Sequence, residues 1–154
     1  LGRKMTHARK PRRNKRFHPS IPRLPMTGAL RDRIATHMHG AFAALRLSPS
    51  AEAFDALANI VNMVGLTVQH DPAFLQQYLL INGAARTMNQ IGAKVEAGIA
   101  LRDHEIASLT VAVSAIDDIL PRIDVARLFI NEHIAVALVR AGQTQGAQPC
   151  PTTR

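Results

Sequence analysis

From Leu30 to Val139 the apolar residues recur at intervals of three and four, the repeat that lines side chains along one face of an α-helix. Leu30, Ile34, Met38, Phe42 and Leu45 predict a first helix from Thr27 or Gly28 to about Arg46. Leu47-Ser48-Pro49-Ser50 interrupts that stripe, with Ser48 expected to cap the next helix and Pro49 to take its first position. Phe54, Leu57, Val61, Val64 and Val68 then predict a second helix over about 50–69. Asp71-Pro72 starts a third, carried by Phe74, Tyr78, Ile81, Ala85, Met88, Ile91 and Val95 as far as Gly98. Gly83 and Gly92 inside it predict a close helix crossing or a bend. The connector 98–101 is expected to tuck Ile99 and Leu101 onto the core. Ile106, Leu109, Val113, Ile116 and Leu120 define a fourth helix that begins at Arg102 or Asp103 and stops at Pro121. Asp124 is placed to cap a fifth, with Val125, Leu128, Ala135, Val136 and Val139 inward and Gly142 ending it. No stretch alternates with a period of two, and no segment repeats at a fixed length. The expected fold is all-α, a five-helix, mainly antiparallel up-and-down bundle.

Residues 1–27 fall outside this pattern and are expected to be a basic, proline-spaced flexible arm, with 28–142 forming the bundle domain and 143–154 a disordered polar tail. Pro19, Pro22 and Pro25 recur every third residue, the repeat of a polyproline II helix, which acts as a semi-rigid spacer. Arg16 with Pro19 and Pro22 also matches the loose pattern of an SH3-type ligand. With 154 residues, 47% of them apolar, the chain has enough material for one real core.

Charge changes the picture more than composition does. The net charge is +8, from 19 Lys and Arg against 11 Asp and Glu. Arg3, Lys4, Arg9, Lys10, Arg12, Arg13, Lys15, Arg16 and Arg23 all precede residue 26, where no acid occurs. The rest of the chain therefore sets ten basic residues against all eleven acids and is near neutral. Cations on a tether suit polyphosphate backbones, because each neutralised phosphate releases condensed counterions. Those nine residues are the candidate nucleic-acid contacts, and Phe17, with His7 and His18, is placed to stack on bases. The same arm suits an acidic protein groove. The bundle is expected to serve a protein partner or a homodimer rather than DNA readout, since the third helix is long and carries only Arg86 and Lys94 as bases.

Constellations for catalysis or metal binding are weak. His37 and His39 are two apart and diverge on a helix, and His104-Glu105 lacks the second His of a zinc-protease motif. His70 and His133 stand alone in the sequence. Asp117 and Asp118 are adjacent and diverge by about 100°, which excludes a pair acting on one bond. Asp117 is expected to pair with an arginine such as Arg122 or Arg127. Ser108, Thr110 and Ser114 lack a nucleophile elbow, and there is no glycine-rich phosphate loop. Asn59, Asn62, Asn82 and Asn89 are expected to bond between helices or to line a groove. The chain is accordingly expected to be a non-enzyme with no cofactor and no metal. Cys150 is the one cysteine and excludes an internal disulfide. No apolar run approaches the roughly 18 residues of a membrane span. The expected location is the cytoplasm, because the prolines spoil an amphipathic transit helix in an otherwise Arg-rich, acid-poor N-terminus. The chain opens on Leu1, as a non-AUG start codon or a missing upstream end would give, and Met5 is an alternative start.

Three short motifs carry a resemblance: Lys15-Arg16-Phe17-His18-Pro19, then Phe54, Leu57 and Asn62, then Leu101, Arg102, Glu105 and Leu109. An arm of this type ahead of an Ala-rich helical domain resembles small uncharacterised proteins encoded on phages, prophages and plasmids of beta-proteobacteria. The resemblance spans most of the chain and implies no activity or site residues. It implies an accessory or regulatory protein of a mobile element, with a phage-type inhibitor or adaptor of a host protein as the alternative.

Overall fold

The structure is a computed structural model that describes residues 23–141. Five α-helices follow in order: α1 (Gly28–Leu47), α2 (Ala51–Val68), α3 (Leu75–Glu96), α4 (Asp103–Ile119) and α5 (Val125–Arg140). Short 3-10 turns, Pro72–Phe74 and Leu120–Arg122, lead into α3 and out of α4. Among the described residues there is no strand, and the all-α bundle expected from the spacing is the fold. The tail, the stop at Gly142 and the arm up to Pro22 lie outside the described residues.

The helix ends show why these segments stop where they do. Thr27 Oγ1 accepts the Leu30 N–H at 3.3 Å and caps α1. At α2 the cap is Ser50, not Ser48: Ser50 Oγ accepts the Ala53 N–H at 3.2 Å. Pro49 holds the residue before it out of the helical region, so Ser48 closes α1 instead, its N–H donating to the Ala44 carbonyl at 2.8 Å. Asp71 Oδ1 accepts the Ala73 N–H at 3.0 Å, as Asp71-Pro72 predicts. α3 ends in a Schellman turn, with Gly98 at φ 67°. There the Gly98 N–H donates to the Val95 carbonyl at 3.0 Å and the Ile99 N–H to that of Lys94 at 2.8 Å. The left-handed turn carries Ile99 outward, where it is 54% exposed. Only Leu101 of the connector packs on the core.

α1 to α4 run alternately up and down and close into a ring, with α4 returning to α1. The α3–α4 seam is held by hydroxyl contact between Thr87 and Ser108 at 2.9 Å and by an ion pair from Lys94 to Glu105. α5 does not pack beside α4, its predecessor. It crosses back to α2 and lies against it in the opposite direction, where Asn131 Nδ2 donates to Thr67 Oγ1 at 3.3 Å. Met38, Leu57, Ile81, Met88, Leu109, Ile116 and Leu128 are all fully buried, so every helix contributes to one core. Gly92 packs beside Phe54, but a Cβ there would meet its ring at 3.8 Å, ordinary van der Waals contact, so no close crossing requires the glycine. Gly83 faces open space and marks no crossing.

Glu105 is the one buried acid among the described residues. Its Oε2 accepts the Arg102 N–H at 2.8 Å, one half of a capping box, and its Oε1 accepts from Lys94 Nζ. An arginine at the cap has no acceptor to supply the other half. The Arg102 N–H and the Lys94 ammonium both favour the charged carboxylate, outweigh the opposing effect of burial, and hold Glu105 below its usual range.

Two outcomes follow for stability. Leu57→Ala should cost about 2–5 kcal/mol in urea unfolding, while Leu79→Ala, at a half-exposed site, should stay within about 0.5 kcal/mol. Glu105→Gln should destabilise by roughly 1–3 kcal/mol at neutral pH. Because the folded state lowers the Glu105 pKa, its contribution is complete above the ordinary value of 4.5. It is lost as pH falls through the folded value, so the two unfolding curves should converge there.

Candidate nucleic-acid interface

Residues 23–27, the end of the segment expected to be a flexible arm, lie extended along one end of the bundle. Asp124 holds them. Its Oδ1 accepts the Ala126 N–H at 3.0 Å, capping α5, and also the Leu24 N–H at 3.1 Å. The Leu24 carbonyl in turn accepts the Val125 N–H at 2.9 Å, one of the donors a helix start leaves without an internal partner. Met26 packs against the core two residues later. The chain and α5 thus complete each other's backbone hydrogen bonding.

This docking fixes Arg23 at the edge of a cavity of about 480 Å³, together with Arg122 from the turn after α4 and Arg127 from the first turns of α5. The Arg122 guanidinium lies over the Phe74 ring, 5.0 Å from its centroid. A stacked guanidinium keeps its in-plane N–H edge for anions while the ring fixes its direction. Asp71 and Asp124 also line the cavity, and each caps a helical turn with its Oδ1. Three cations face two anions already bonded to backbone N–H groups. A planar, delocalised cation with several donors is the side chain best suited to a phosphate oxygen.

Of the nine basic residues expected to contact nucleic acid, the structure places Arg23 in this cavity. Arg3, Lys4, Arg9, Lys10, Arg12, Arg13, Lys15 and Arg16, with Phe17, lie outside the described residues. Arg122 and Arg127 were legible in the sequence only as neighbours of Asp117. That pairing does not form: Asp117 Oδ2 meets His39 Nε2 of α1 at 2.8 Å. Asp117 sits two residues before the end of α4 on the side toward α1, while Arg122 and Arg127 come after Pro121. Their relation to Arg23, about a hundred residues away, is created by the return of α5 to α2.

The remaining chemistry is dispersed. His37 lines a different groove from the His39–Asp117 pair. Among the described residues no three His, Cys, Asp or Glu side chains gather to hold a metal ion, and no helix is long and apolar enough to cross a membrane. Of the asparagines, Asn62 is buried within α2 and Asn59 lines a groove. The chain matches no family model, no curated protein and no solved structure.

Asp124→Ala removes the cap and the tie to Leu24 together. The expected result is a loss of about 1–2 kcal/mol and faster hydrogen exchange at Val125 and Leu24, with the α3–α4 amides unchanged below global unfolding.

Proposed function

We propose that this chain is a non-enzymatic accessory or regulatory protein of a bacterial mobile element that grips nucleic acid by its phosphates, without sequence preference. The observation that carries this reading is the seating of Arg23 beside Arg122 and Arg127. The last residue of a nine-cation, acid-free stretch is anchored to the fold where two further arginines stand. Chain-borne cations then supply long-range attraction and salt-dependent affinity, while the anchored cluster orients one backbone phosphate against a rigid surface. Phe17 adds base stacking on single strands.

Fluorescence anisotropy with duplex and single-stranded oligonucleotides tests the reading. With about six phosphates contacted, affinity should drop by roughly three decades between 50 and 200 mM salt. Changing the basic residues of 1–22 to glutamine should abolish most binding. Arg122→Glu with Arg127→Glu should weaken it at least about tenfold and lower the salt slope by roughly two. Undiminished binding by the glutamine variant would refute the proposal. No binding to any oligonucleotide would turn the reading to a protein-docking module.

A further inference from the structure

α5 differs from the other helices in what it leaves uncovered. It makes extensive contact with α2 alone, yet its outer side carries Phe129, Ile130 and Ile134, each about half exposed. Ala126 and Ala137 stand among them on the helix surface. An exposed apolar strip on a helix is one that another chain can cover, and here His133 stands within the strip while Arg127 and Glu132 flank it. Beside α5 runs a groove of about 880 Å³, walled by α1 and α5 and floored by α2. Leu30 and Ile34 form one wall, Leu128, Phe129 and Val136 the other, and Ile60 and Met63 lie in the floor. Phe129 belongs to both features, so groove and outer face form one continuous apolar surface.

We propose that this surface is the contact between two copies of the chain, each seating the outer face of its α5 over the α1–α5 groove of the other. Three observations select a second copy over other occupants. A two-fold contact uses the same patch on both partners. One such contact covers the groove and the Phe129–Ile130 face together, whereas a peptide laid in the groove covers only the first. Ala126 and Ala137, small residues on that outer face, permit the close approach such a contact needs. Lastly, the groove carries both signs of charge, Asp32 and Glu132 against Arg33. A mixed rim can complement its own copy, while a patch of one sign would repel itself.

Sedimentation velocity of the full chain after nuclease treatment, over a dilution series, reads the result independently of nucleic-acid binding. A reversible dimer is expected. Phe129→Glu with Ile130→Glu, both at half-exposed sites, should raise the dimer dissociation constant at least about a hundredfold with helical circular dichroism unchanged. Ala137→Cys or Ala126→Cys in a Cys150→Ser background should give a disulfide-linked dimer on mild oxidation. That readout stands even where the charged variant fails to fold. A chain monomeric at every concentration overturns the proposal, and so does a dimer that neither variant alters. A monomer whose groove amides exchange faster when residues 1–22 are neutralised would overturn it in favour of that segment as the occupant.

Discussion

The burial of α2 is the constraint on which the rest of the molecule depends. This helix is packed by α1 on one side, α3 on another and α5 on a third, so almost no direction around it can be polar. Ala53, Leu57, Ala58, Ile60, Val61, Val64, Gly65 and Val68 answer that demand. Thr67 enters with its hydroxyl bonded: its Oγ1 donates to the Met63 carbonyl at 2.7 Å and receives Asn131 from α5. An unbonded polar group there would forfeit its hydration with nothing in return. The small residues let three neighbours approach one axis, and the Thr67–Asn131 hydrogen bond fixes the register of the third.

Placing α5 on α2 rather than beside α4 sets up both surfaces that carry functional proposals. At the start of α5, Asp124 must cap a helix whose preceding turn ends near the incoming chain, and the same carboxylate captures Leu24. The arginines that flank this cap, Arg122 and Arg127, are thereby brought to Arg23. Farther along, α5 and α1 both lean on α2 without closing on each other, and the gap between them is the apolar groove. One packing choice yields an anion-suited cavity at the end of the bundle and an uncovered apolar face along its side.

How much of this was legible depends on the range of the interaction. The inward stripes of α1 to α4 follow from periodicity, and Met38, Val61, Met88 and Leu109 are buried as their spacing implies. Local caps were legible where one side chain and the next few amides decide them, as at Asp71 and Asp124. Ser48 was misjudged because Pro49 biases the residue before it as strongly as it suits a helix start. Ile99 was misjudged because the left-handed turn at Gly98 decides its direction, and apolar character alone does not. The Asp117 pairing was misjudged because His39 reaches it across the α1–α4 seam. A helix partner of that kind has no sequence signature.

The sequence by itself determined the class of fold, the number of helices and the sharp division of charge near residue 25. Each of these rests on local or additive physics: turn geometry, apolar repeat, and the sum of formal charges. Tertiary structure alone decided which helices touch, because several apolar stripes of similar width are interchangeable until their side chains interlock. It alone brought Arg23 to Arg122 and Arg127, and it alone left the outer face of α5 uncovered. Those are consequences of three-dimensional packing around α2, where residues a hundred positions apart become neighbours and the available core is shared among fewer surfaces than the helices present.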